Sequence, residues 1–217
     1  MILGIYGTGG LGREVFILVN KINQSFLCWD EIVFIDDFTK EVILSNRPIY
    51  AFDKFKDTFP RENTEIIIAL GEPIYRQKLA DKVCASGFKL AKLIHPNVYI
   101  PEDTIIEEGC IIFDNAVISC NVRLSRNVVI QPMAIVSHDS IVGENTVISA
   151  FVFIAGNCNI GNSVFIAVSA SIREKVSVGS YSIIGMGSVV LRDIEEHVVS
   201  VGSPARILRK NDGKVFK

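Results

Sequence analysis

The hydrophobic positions of this chain follow two rhythms. From Ile94 to Val190 every sixth residue is Ile, Leu or Val, seventeen in succession. Four residues after each comes a position that is nearly always small or β-branched, such as Cys110, Ala116, Val122, Ala134, Ser140, Thr146 and Val152. A period of six fits neither the 3.6 of a helix nor the 2 of a plain strand, but it fits a coil whose short flat sides repeat every six residues. Three sides close a triangular turn of about 18 residues, each residue lying over its counterpart one turn earlier at about 4.8 Å, the spacing of paired strands. The large aliphatic then fills the centre of the prism and the small residue packs the corner beside it. Counted to residue 195, the hexads make a little under six turns in an unbroken register, with no looped insertion.

The first 90 residues keep a different pattern. "ILGIYGTGGLGREVFILVNKI" is a short buried strand, a glycine turn and an amphipathic helix, with Gly7, Gly9 and Gly12 fitting G-x-G-x-x-G. A second strand, "EIVFIDD", ends in Asp36 and Asp37, and a third, "EIIIAL", runs into Gly71. Strands alternating with helices predict a small parallel α/β unit. Only one mononucleotide half is present, so the expected fold is a Rossmann-like half domain over 1–92, a β-helix over 93–195 and a tail over 196–217. Such a glycine turn lets backbone N–H groups approach a phosphate, and a carboxylate at the second strand's end can hold a ribose hydroxyl. A tight strand-to-helix turn with no ligand, and a dinucleotide site, are the two alternatives.

Composition narrows the partners. The chain is 49% hydrophobic and 21% charged with a net charge of −2, so it lacks the concentrated positive charge that nucleic-acid binding draws on. Five widely spaced cysteines form no C-x-x-C pair, and no metal site is expected. The N-terminus lacks a signal-peptide pattern, and no apolar run approaches the roughly 20 residues needed to span a bilayer. The expectation is a cytoplasmic protein without a membrane partner.

Among three histidines, His95 stands at the entry to the coil and His197 in its exit turn. His138 occupies the third, outward position of the hexad starting at Val136 and is followed by Asp139. An imidazole, with an ordinary pKa of about 6.5, suits a base that removes a proton near neutral pH. A solvated surface histidine is the bland alternative. The six-residue lattice puts Cys120, His138, Gly156 and Glu174 on one line, with Gly156 expected to leave open space beyond His138 for a thioester.

The chain resembles the hexapeptide-repeat acyltransferases, whose fold is a left-handed parallel β-helix. Within them it is similar to the sugar acyltransferases related to sialic acid O-acetyltransferases and to N-acetyltransferases of nucleotide-linked 4-amino sugars. The markers are "GTGGLG", "FIDD", "ALGEPIYRQKL", "LIHPNVYI", "VSHDSIVGENTVI" and "VGSPARIL", spread along the whole chain. The resemblance implies His138 as general base and Asp139 as its modulator. It implies a nucleotide-sugar at Gly9, Gly10, Leu11, Asp36 and Asp37, and acetyl-CoA at Gly156, Val168, Met186, Arg206 and Lys210. Leu11 and Val147 depart from the histidines of some relatives, so the contact at Leu11 is expected to be a backbone or apolar one and the cofactor contact at Val147 to be absent. A homotrimer, and N-acetylation of a nucleotide-linked 4-amino-4,6-dideoxy sugar for a surface polysaccharide, are implied as well. Sugar O-acetylation is the nearest alternative. A metal-binding β-helix of the gamma carbonic anhydrase type is more distant, because it needs three histidines around the coil, and a non-catalytic scaffold leaves the His-Asp pair unexplained.

Overall fold

The structure, a computed structural model, describes residues 1–215; the last two residues of the tail expected over 196–217 lie outside the described residues. The N-terminal domain is a mostly parallel sheet with helices packed on it. In chain order it runs β1 (Ile2–Tyr6), α1 (Gly10–Phe26), β2 (Glu31–Ile35), β3 (Ile43–Leu44), β4 (Arg47–Tyr50), α2 (Phe52–Thr58), β5 (Thr64–Ile68), α3 (Pro73–Ala85) and β6 (Lys89–Leu90). The spatial order is β3-β4-β2-β1-β5-β6, with only the β3–β4 hairpin antiparallel. The chain leaves β1 toward β2 on one side and β5 on the other, so the carboxyl end of β1 is the switch point where ligands gather in such sheets. Gly12 is required by packing, since a Cβ there would lie 2.1 Å from the carbonyl oxygen of Gly7.

From Leu93 the chain winds into a three-sided parallel β-helix of two-residue strands. The first face stacks Leu93–Ile94, Ile111–Ile112, Val129–Ile130, Val147–Ile148, Phe165–Ile166 and Ile183–Ile184. The second runs from Val117–Ile118 to Val189–Val190 and the third from Ile105–Ile106 to Ser177–Val178. Pairing is in steps of 18, as in Val117 with Ile135. Each corner turns through one left-handed residue, every sixth position from Gly109 to Gly187. Asn fills five of these, at 115, 121, 127, 145 and 157, because its short polar side chain tolerates that conformation. The hydroxyls of Ser140 and Thr146, at the buried fifth position, donate to the carbonyls of Ala155 and Gly161 at 3.2 and 2.9 Å, so these polar groups are satisfied in the core.

Two sequence expectations are corrected. The hexad of Ile100 forms no strand, and the register does not run unbroken to residue 195. Ile194 bridges to Val178, sixteen residues back, and Ile183 pairs with Val199 at the same interval, so the last corner is two residues short. Beyond it Val198–Val201 adds one more strand to the first face and turns back antiparallel as Arg206–Lys210.

The N-terminal domain sits on the first face. Val15, Leu18, Val19 and Ile22 of α1 share one core with the outward residues Leu93, Ile111, Val129, Val147, Phe165 and Ile183. Arg76 of α3 locks the joint. It is fully buried and donates to the carbonyls of Ile68 at 2.5 Å, Leu70 at 3.0 Å and Asn127 at 2.8 Å, and to the Asn127 side chain. Burial pulls the guanidinium down to about 9, still charged at neutral pH.

Candidate active site

His138 stands where the coil turns from its second face to its third. Its Nδ1 lies 2.7 Å from Oδ2 of Asp139, the left-handed corner residue. The other carboxylate oxygen accepts from Nδ2 of Asn121 at 2.7 Å, one turn below. The bond to His138, and after it the bond from Asn121, hold the Asp139 carboxyl below the usual carboxylate range. A carboxylate that accepts at Nδ1 places the ring proton there and leaves a lone pair on Nε2. The side chain is half exposed, at 53%, so that lone pair is open to a nucleophile.

Gly156 lies one turn above, where the lattice puts it: Asn157 donates its N–H to the His138 carbonyl at 2.9 Å. The space over Gly156 is not vacant, as expected from sequence, but filled by the imidazole itself. A Cβ on Gly156 would come within 2.5 Å of Cε1 and 2.6 Å of Nε2 of His138.

The glycine turn forms a second locus on the other side of the molecule. Gly9 caps α1, and a Cβ on Gly9 or Gly10 would meet nothing within 4 Å. A cleft of about 270 Å³ opens there, lined by Gly9, Gly10, Leu11, Asp36, Asp37, Phe38 and Leu79 among others. Burial opposes the charge on Asp36, but the Thr8 hydroxyl at 2.6 Å and the N–H groups of Phe38, Thr39 and Thr8 outweigh it and hold its carboxyl below the usual range. Asp37 behaves likewise. Against its burial, the Tyr6 hydroxyl at 2.5 Å, Lys82 at 2.9 Å and the Phe52 N–H at 2.8 Å keep it ionised. Tyr6 and Lys82 escaped the sequence reading because nothing local marks them; Asn121 was within its reach, 18 residues before Asp139.

A larger groove of about 590 Å³ runs from Gly10, Leu11 and Glu14 up the first face past Val147 and Ser149 to Val168 and Met186. Arg206 lines a separate cavity of about 390 Å³ at the end of the coil, together with Arg192. Lys210 does not line it; it ends the last strand, exposed. The structure therefore brings Gly9, Gly10, Leu11, Asp36 and Asp37 together, and Val168 with Met186, while His138, Asp139 and Gly156 stand on another edge of the same prism. Among the described residues no group of three or more His, Cys, Asp and Glu side chains is placed to hold a metal ion, and no helix is long and apolar enough to cross a membrane.

Residues 3–83 match the family of PglD N-terminal domains. GDP-perosamine N-acetyltransferase of Escherichia coli O157:H7 is 25% identical over 92% of this chain and 82% of its own length. The acetyltransferase domain of PglB from Neisseria gonorrhoeae FA1090, solved in complex with acetyl coenzyme A, superposes with a TM-score of 0.89 at 29% identity, covering 95% of this chain and 98% of that one. PerB from Caulobacter crescentus, solved with CoA and GDP-perosamine, shares the fold with a TM-score of 0.87 at 24% identity over 95% and 97% of the two chains.

Proposed function

We propose that this chain is a hexapeptide-repeat nucleotide-sugar acetyltransferase that moves the acetyl group of acetyl-CoA onto the 4-amino group of a nucleotide-linked 4-amino-4,6-dideoxy sugar. The observation that carries this reading is the His138–Asp139 pair, in which the carboxylate engages Nδ1 of a half-exposed imidazole at a corner of the coil. The sugar amine attacks the thioester carbonyl as Nε2 takes its proton. The tetrahedral oxyanion then expels the CoA thiolate, which takes the proton back from His138, so the base is regenerated. Full-length similarity to a GDP-sugar N-acetyltransferase supports an amine over a hydroxyl as acceptor.

The nucleotide lies in the cleft of Gly9, Gly10, Leu11, Asp36 and Asp37, with its phosphates at the open end of α1, where N–H groups and the helix dipole favour anions. Acetyl-CoA runs along the groove of Val168 and Met186, its thioester reaching the imidazole of His138 and its phosphates directed toward Arg206 and Lys210. Since His138 and the cleft lie on different edges of one prism, the complete site needs two copies of the chain, and a homotrimer supplies three such sites. The outward positions support this: on the second face Val117 is 51% and Phe153 43% exposed, an apolar surface of the kind that marks contacts. The reaction belongs in the cytoplasm, where acetyl-CoA is made.

The test is a thiol-release assay with acetyl-CoA against nucleotide-linked amino sugars. His138→Ala should lower kcat by about 10² to 10⁴ with nucleotide binding intact. Near-normal turnover in that variant would remove His138 as the base.

A further inference from the structure

Among the described residues Phe38 has the highest exposure of the large hydrophobics, at 95%, although the backbone around it is firmly held. Oδ1 of Asp36 accepts the N–H groups of Phe38 at 2.9 Å and Thr39 at 3.1 Å, while Oδ2 of the same carboxylate is tied to Thr8 in the glycine turn. One partly buried carboxylate therefore fixes both walls of the cleft. The ring thus stands exposed on a pinned turn and lines the cleft together with Leu11, Leu70 and Leu79, an open aromatic face beside a preformed pocket. Its position is informative too: it follows the acidic end of β2 by one residue, the place where a Rossmann-like unit meets the ribose, so a base extending past that ribose arrives at the ring. Asp36 accepts from the Thr8 N–H and hydroxyl and from the N–H groups of Phe38 and Thr39, so this carboxylate shapes the wall on which the ring is carried.

We propose that Phe38 is the platform on which the purine or pyrimidine base of the nucleotide-linked acceptor stacks, which makes it a binding and specificity residue of the cleft. The inference rests on the nucleotide-sugar reading above and adds to it how the base is held. Stacking on an aromatic side chain accepts any base, because every base has a π face; preference among bases then falls to the polar groups at the rim, Asp37, Tyr6 and Lys82.

The test is calorimetric titration of GDP, UDP and dTDP into the full chain and into Phe38→Ala and Phe38→Trp, with steady-state kinetics on the same proteins. At least one nucleotide should bind the parent. Phe38→Ala should weaken it about tenfold or more, Phe38→Trp should restore it to within about threefold, and the KM for the nucleotide sugar should rise in step while that for acetyl-CoA keeps its value. Equal affinity in parent and Phe38→Ala overturns the platform and leaves the proposed reaction standing. Binding of no nucleotide by the parent overturns both. If Phe38→Ala instead dissociates the oligomer with nucleotide affinity unchanged, the ring is a subunit contact and the platform falls.

Discussion

Gly156 shows how narrow the tolerances at the corner are. Its missing side chain makes room for the imidazole rather than for a ligand, since a methyl group would sit 2.5 Å from Cε1 of His138. Gly156→Ala must therefore displace the ring from this position. Because displacements of about 1 Å can cost about 10²-fold in rate, kcat should fall by roughly that factor, with nucleotide affinity and melting temperature close to the parent's; unchanged kcat would mean the ring has a second working position. From sequence, the outward third position and the following acid marked His138 and Asp139 as candidates, the family resemblance gave them their expected roles, and the 18-residue step located Gly156. That step gives the height of a residue, however, and says nothing of the rotamer of its neighbour, which is why the filled space was not foreseen.

Among the elements, the cleft walls depend on two carboxylates held below the ordinary range. Such groups stabilise the fold fully above the unfolded-state value of about 3.9, and this contribution is lost as the pH falls through their lower folded-state values. The melting midpoint of the parent should accordingly drop on the acid side of about pH 4, and Asp37→Asn should start lower at neutral pH and show a flatter acid limb. An identical acid limb in that variant would assign the loss to other groups. The long elements here were legible: β1, α1, β2 and β5 follow apolar runs and the glycine turn, and the two acids sit at the end of the second run. The β3–β4 hairpin and β6 were not, because strands of two to four residues carry no period to detect. Arg76 was likewise invisible, since a guanidinium satisfied by carbonyls has no acidic partner in the sequence to betray it.

For the whole molecule, the coil was legible because its repeat is long and regular, while the placement of the N-terminal domain rests on outward residues that the six-residue repeat does not mark. The outward position before each hexad is apolar throughout the first face, from Leu93 to Ile183, and includes Arg123, Asn159 and Ser177 on the third. On the second face Val117 and Phe153 remain exposed in a single copy. Phe153→Glu would put three buried charges into a trimer contact, so sedimentation should show dissociated chains and thiol release should be lost while nucleotide binding persists. A trimer of full activity in that variant would place the subunit contact elsewhere.

The regular corners also dictate how such a molecule can change in length. Inserting six residues early in the coil would rotate everything above by one side and carry third-face side chains such as Asn159 and Ser177 beneath the N-terminal domain, whereas deleting six would bring Phe153 and Ser171 of the second face there. A change of 18 residues restores the phase and shifts the terminal basic strand by about 4.8 Å along the axis. The body can grow or shrink only by whole laps, and each lap resets the distance between the imidazole and the far end.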